Sequence, residues 1–145
     1  MQIEITNFGS KRQIESVTLR DTVLRKPLGL AFSKEELEQE EDQIHIVATE
    51  DKEVVGVLLL NPLSKTEIKM RQVAVDGNLQ RRGIGIQMVR YAEYHSRAKG
   101  YVLLSLHARE GALSFYNNLN YKVVGEKFTE VGIDHYRMEK GLEIK

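Results

Sequence analysis

The repeat distance of the apolar residues changes twice between Ile44 and Leu106, and this change limits the fold more than any other feature. From Ile44 the period is two, with Ile44, Ile46 and Ala48 alternating with polar or smaller neighbours. Asp51-Lys52 reads as a turn, residues 54–60 as a more buried strand, and Glu67 to Val75 as a third run. These three segments predict an antiparallel meander. Over residues 84–99 the period becomes helical, with Ile84, Met88, Tyr91, Ala92 and His95 on one stripe. Glu93 and Arg97 read as an i,i+4 pair on the opposite side, and Gly100 as the residue that stops the helix. Residues 102–106 are then almost continuously apolar, as in a strand covered on both faces.

The flanks complete the pattern. Alternation over Gln2–Thr6 predicts a first strand. Ser10-Lys11-Arg12-Gln13 has the form of a capping box, followed by Ile14, Val17 and Leu24 at helix-compatible intervals, with Pro27 and Gly29 to end or kink the helix. Ser33-Lys34-Glu35-Glu36 is a second box, opening a short, exposed helix with a thin apolar face. Downstream, residues 112–119 predict a short helix, 121–128 a strand, and 133–139 another after a Glu130-Val131-Gly132 turn. The order β-α-α-β-β-β-α-β-α-β-β describes an α+β or mixed-sheet α/β fold in a single domain over residues 1–145.

Composition removes several function classes. The 21 basic residues cancel the 21 acidic ones, which argues against a nucleic-acid coat. Zero cysteines exclude disulfides, thiolate metal sites and a cysteine nucleophile, and the four histidines show no ligand spacing, so no metal is expected. No apolar run approaches the roughly 18 residues of a membrane span, and Met1-Gln2-Ile3-Glu4 lacks a signal-peptide layout. A soluble, cytoplasmic protein is expected.

The segment with chemistry in it is Val73-Ala74-Val75-Asp76-Gly77-Asn78-Leu79-Gln80-Arg81-Arg82-Gly83-Ile84-Gly85, a strand entering a loop that opens the amphipathic helix. Amides at a helix start have no intrahelical acceptor, and the helix dipole puts partial positive charge there. Gly83 and Gly85 let an anion approach the backbone, and Arg81 and Arg82 add full charges beside it. A diphosphate cradle fits. A P-loop does not, because no Gly-Lys-Ser/Thr follows, and a dinucleotide fingerprint would need glycine at Met88. The competing reading is that the glycines only allow close helix packing while the arginines face water.

Here the chain resembles the GNAT superfamily of N-acetyltransferases. Gln80-Arg81-Arg82-Gly83-Ile84-Gly85 fills that family's Gln/Arg-x-x-Gly-x-Gly/Ala signature, after its customary Val-Ala-Val strand end. Ala112-Leu113-Ser114-Phe115-Tyr116-Asn117-Asn118-Leu119-Asn120-Tyr121 is similar to its second block. The closing run, with Gly132-Ile133-Asp134-His135 and Met138, resembles a small bacterial, single-domain subgroup. The resemblance implies a mixed, mostly antiparallel sheet splayed between its fourth and fifth strands, with helices on both faces. It implies acetyl-CoA as acyl donor, a primary amine on a small molecule or protein as acceptor, and direct attack without a metal.

Residue by residue, the resemblance assigns pantetheine pairing to the backbone of Val73 and Val75, with Ala74 between them, and the pyrophosphate to Gln80, Arg81, Arg82, Gly83, Ile84 and Gly85. Tyr116 matches the tyrosine that protonates the departing thiolate; the other reading is a core aromatic beside Phe115. A phenol of pKa about 10 can serve a thiolate whose acid form titrates near about 8.5. Glu67, His107, Glu126, His135 or a water chain are the candidate bases for the acceptor amine. Arg109 stands where many relatives carry Asn or Gln, and its contact with the cofactor is open, since arginine cannot accept a hydrogen bond. Asn120 replaces the usual glycine before Tyr121, a residue that tolerates the left-handed region. Arg20, Arg25, Lys26 and the acidic run Glu35, Glu36, Glu38, Glu40 and Glu41 read as solvated helix faces, and His45 and His95 as structural.

Two competitors stay open: a non-catalytic acyl-CoA sensing module on the same fold, and an unrelated anion-binding domain. The acceptor and the oligomeric state are not encoded, and a homodimer stays open.

Overall fold

The computed structural model describes residues 1–80 and 82–142. The chain forms two compact units, one from Met1–Asn61 with Gln72–Ala92, the other from Pro62–Arg71 with the residues from Glu93 on.

In the first unit β1 (Gln2–Thr6) pairs antiparallel with β2 (Ile44–Glu50), which pairs antiparallel with β3 (Glu53–Pro62). Asp51 and Lys52 join β2 to β3 with φ of 52° and 68°, the two left-handed residues a tight hairpin with the strands' own twist requires. Ile46, Val47, Ala48, Val57, Leu58, Leu59 and Leu60 are fully buried, so both faces of β3 are covered, as its apolar run predicts.

Both serine boxes start helices. Ser10 Oγ accepts from Gln13 N at 3.2 Å at the head of α1 (Lys11–Arg20), while Gln13 Oε1 accepts from Gly9 N at 3.0 Å, one residue upstream of the usual reciprocal bond. Ser33 and Glu36 make both bonds of the box at α2 (Lys34–Glu38), which is short as expected. Pro27 sits in a 3-10 turn that Gly29 closes at φ 72°.

The inward face of α1 corrects the sequence reading. Gln13, Ser16 and Arg20 are buried, whereas Ile14 is 59% exposed. Arg20 is not solvated: it is fully buried and grips Glu40 with two bonds of 2.8 Å, under a cation–π contact from Phe32 at 4.5 Å. Arg25 likewise pairs with Glu36 at 3.1 Å. The apolar pattern misled because a polar side chain can face inward wherever its partner is buried with it.

His45 adds a pH-dependent term. Its Nε2 donates to the Glu40 carbonyl at 2.9 Å, which leaves Nδ1 bare, buried and unpartnered among the described residues. Burial holds its pKa below the usual 6.5. The unfolded chain therefore takes the proton first, so this contribution is complete above pH 6.5 and falls away on acidification. His45→Gln is expected to flatten the fall in urea midpoint between about pH 6.5 and 5; slopes parallel to the wild type would refute the assignment.

Two elements pass from one unit into the other: β4 (Glu67–Val75), after Arg71, and α3 (Ile84–Ala98), after Ala92. In the first unit Ile84, Met88, Val89 and Ala92 of α3 are buried, and Gly56 of β3 admits Met88 so closely that a Cβ there would lie 2.5 Å from its Sδ. In the second unit α3 ends at Gly100, φ 95°, with Tyr101 N bonded to Ser96 O at 3.1 Å, the expected glycine stop. Glu93 does not lie on a solvent face with Arg97. It is buried, accepts from the Tyr121 hydroxyl at 2.8 Å and from Lys140 Nζ at 3.0 Å, and Arg97 Nε instead reaches the Leu142 carbonyl at 2.8 Å.

The second unit pairs β4 parallel with β5 (Leu103–Arg109), and β5 antiparallel with β8 (Ile133–Gly141). The parallel pairing runs from Glu67↔Leu103 to Met70↔Leu106 and stops there, although both strands continue. The predicted strand over 121–128 is two pieces on one edge of β8. β6 (Lys122–Val123) pairs at Glu139 and Met138, β7 (Phe128–Glu130) pairs from His135 to Ile133, and Gly125 turns between them at φ 85°. The Val131-Gly132 turn forms as expected, both residues left-handed. Between β5 and β6 lies α4 (Leu113–Asn117), and Asn120 after it takes φ 72°, the conformation expected of it. The sheet is therefore mixed and mostly antiparallel, as predicted. Among the described residues no helix is long and apolar enough to cross a membrane.

Candidate active site

The end of β4 and the start of α3, in the first unit, carry one group of the candidate residues. Within β4, Gln72 has φ 57°, so the strand bulges at the residue before Val73-Ala74-Val75. Its Oε1 is buried without a partner among the described residues. Ala74 is packed with Val57, Leu59, Leu19, Val23 and Leu24, and Val73 and Val75 are half-buried. Asp76 then anchors the turn: its N donates to Val55 O at 2.9 Å and its Oδ1 accepts from Asn78 N at 2.9 Å. Gln80 Nε2 donates to Val75 O at 3.3 Å, which ties the loop back to the strand end.

Gly83 is the hinge between loop and helix. It has φ 82°, and among the described residues a Cβ built on it would meet nothing within 4 Å. Its role is therefore conformational, with open space beside it, and not close packing. An α-type bond runs from Gln87 N to Gly83 O at 3.1 Å, and the amides of a helix's first turn have no acceptor within the helix. Ile84 is buried, Gly85 half-buried, and exposed Arg82 pairs with Glu50 at 3.1 Å. Arg81 lies outside the described residues.

Another group of candidate residues lies in the second unit, on α4 and around it. Tyr116 is 7% exposed, with its ring edge-on to Phe115 at 5.0 Å and to Tyr121 at 5.7 Å. It is thus a core aromatic by packing, while its hydroxyl has no hydrogen-bond partner among the described residues. Burial pushes the phenol well above its usual range, so it stays protonated and able to donate. Arg109 lines an open cavity of about 500 Å³ with Glu110, Gly111, Gly132, Ile133 and Asp134.

A polar face of the second unit gathers three of the candidate bases and separates them by chemistry. Glu67 Oε2 accepts from Arg137 at 3.0 Å and from Ser105 Oγ at 2.8 Å, and these bonds hold its pKa below the carboxylate range. That carboxylate is occupied. His107 is half-buried, with Nδ1 3.0 Å from Glu130 Oε2 and 3.2 Å from Lys69 Nζ. Burial and then the Lys69 charge hold it below its ordinary value, hence neutral and able to accept a proton at neutral pH. His135 is buried; its Nδ1 donates to Ile133 O at 3.0 Å, and its ring stacks on Phe128 at 5.9 Å. Glu126 is exposed. The sequence reading missed Lys69 and Glu130, although Glu67, Lys69 and Arg71 at alternate positions already mark one polar strand face. Among the described residues no three His, Cys, Asp or Glu side chains group around a point that could hold a metal ion.

The family model described as an acetyltransferase (GNAT) domain matches residues 20–142. Among solved structures the chain is similar to an aminoglycoside 6'-N-acetyltransferase complexed with coenzyme A, at 17% identity and a TM-score of 0.84, covering 100% of this chain and 99% of that one. The enzyme of that name from Enterococcus faecium gives 17% identity and 0.81 over the same shares. A GNAT family acetyltransferase from Elizabethkingia anophelis with acetyl-CoA bound gives 20% and 0.76, covering 97% of each chain.

Proposed function

The chain belongs to the GNAT acetyltransferase family, and we propose that this N-acetyltransferase moves the acetyl group of acetyl-CoA onto a primary amine by direct attack, as one domain over residues 1–145. The observation that carries the reading is the opening of α3: a helix's first turn, a left-handed Gly83 and, among the described residues, open space where its side chain would be. A diphosphate fits that chemistry. The amides of residues 82–85 bind it, with Gln80 fixing the loop and Arg81 and Arg82 supplying charge. The backbone of Val73 and Val75, past the Gln72 bulge, pairs with the pantetheine arm.

In the transfer the acceptor nitrogen attacks the thioester carbonyl, a C–N bond forms and the C–S bond breaks. Tyr116 gives its phenolic proton to the leaving thiolate; burial raises its pKa, so the phenol holds that proton until the thiolate's charge forms. His107 receives the acceptor's proton, since Glu67 is already bonded to Ser105 and Arg137. A cytoplasmic location fits a soluble thioester donor.

Calorimetry with acetyl-CoA, followed by thiol release over a panel of amines that includes aminoglycosides, polyamines and peptide amines, tests the reading. Saturable binding and acceptor-dependent release are expected, with ATP failing to displace coenzyme A. Arg82→Ala is expected to weaken acetyl-CoA by about tenfold, the loss of one charge-assisted phosphate contact. Unaltered affinity would remove the cradle, and binding without release on any amine would indicate a sensing module.

A further inference from the structure

Resting on that reading, we propose that Lys69 is a self-acetylation site: in the absence of an acceptor amine its Nζ takes the acetyl group, with His107 as the group that receives its proton. Three strands bring the parts together. Lys69 lies on β4 opposite Ser105, His107 lies two residues further along β5, and Glu130 ends β7. Lys69 Nζ is 3.2 Å from His107 Nδ1, and Glu130 Oε2 is 3.0 Å from the same nitrogen.

One ring nitrogen cannot accept from an ammonium and donate to a carboxylate at once. The two contacts therefore correspond to two positions of one proton. With the proton on lysine, Nδ1 accepts from it. With the proton on Nδ1, the imidazolium donates to Glu130 and the lysine is a free amine, at the same total charge. A nucleophile, a base within hydrogen-bond reach and a carboxylate that steadies the base are the parts an activated amine needs. The surroundings act on both partners: Glu130 steadies the imidazolium, while burial and the neighbouring cations hold His107 down. Burial, with Arg71 and Arg137 nearby, holds Lys69 below the ordinary lysine range against the pull of Glu130. Lys69 remains half-buried and not sealed, and it precedes Val73 by four residues on the same strand.

The step balances as the transfer does. With one proton already passed to His107 Nδ1, Nζ attacks the thioester carbonyl, the C–N bond forms and the C–S bond breaks, the second nitrogen proton leaves to water, and Tyr116 protonates the thiolate and regains a proton from water. The product is an amide and so a lasting mark, which removes the cation beside His107 and Glu130.

The test is to incubate the full chain with acetyl-CoA and no acceptor, and follow each lysine by peptide mass mapping. Exposed Lys34 serves as the internal clock for uncatalysed acetylation. One acetyl per chain on Lys69 is expected, accumulating at least about tenfold faster than on Lys34 and slowed at least about tenfold by His107→Gln with Lys34 unchanged. An unmodified Lys69, or one no faster than Lys34, in protein that binds acetyl-CoA by calorimetry overturns self-acetylation and leaves the transferase standing. Absence of acetyl-CoA binding overturns both.

Discussion

Tyr116→Phe is expected to lower kcat by about 10² or more while acetyl-CoA affinity stays near wild type, the loss typical of removing a general acid. The substitution is unusually clean at this position. The ring keeps its edge contacts with Phe115 and Tyr121, and the hydroxyl has no partner among the described residues to orphan. Thermal stability should hold, which separates lost chemistry from lost fold. Steady-state kinetics with the best acceptor from the panel checks it, and a kcat within about twofold of wild type would remove Tyr116 from the mechanism.

Glu40→Ala is expected to cost about 3–5 kcal/mol, the range for leaving one member of a buried ion pair alone. Arg20 is fully buried, both of its terminal nitrogens bond Glu40, and its Nε has no partner among the described residues even in the intact protein. Without the carboxylate, the buried guanidinium against Phe32 loses the partner that both of its terminal nitrogens bond. Replacing both residues by methionine should recover most of the loss, because the desolvation cost disappears with the charge. Urea unfolding of the single and double variants measures both; a single variant within about 1 kcal/mol of wild type would mean that the site rehydrates.

What could be read in advance was what is contiguous in the chain. Ser10 and Ser33 start helices through bonds to residues three places on, and the Asp51-Lys52 and Val131-Gly132 turns need only their own backbone angles. The start of α3 at Ile84 was legible for the same reason, since a helix start is a local object. Residues whose partners arrive from distant strands were not. Glu93 looked like the solvent half of a helical pair, but Tyr121 and Lys140 meet it from beyond the fifth strand. Lys69, His107 and Glu130 converge only once β4, β5 and β7 are in register, and register is not printed in any one segment. Gln72 carries no signal at all: the bulge uses a residue type that gives no warning of a left-handed angle.

The break between β6 and β7 bears on how copies of this protein behave at high concentration. A long, straight outer strand presents a row of unpaired amides and carbonyls on which another chain can lay a strand, the first step toward aggregation. Here the outer edge of β8 is covered by one piece of two residues and another of three, with the chain turned at Gly125 between them. Exposed Lys122 and Lys127 stand beside those pieces, and an incoming backbone would have to approach against their charge. The interruption that costs the sheet several ladder bonds also deprives that margin of any stretch long enough to template a foreign strand.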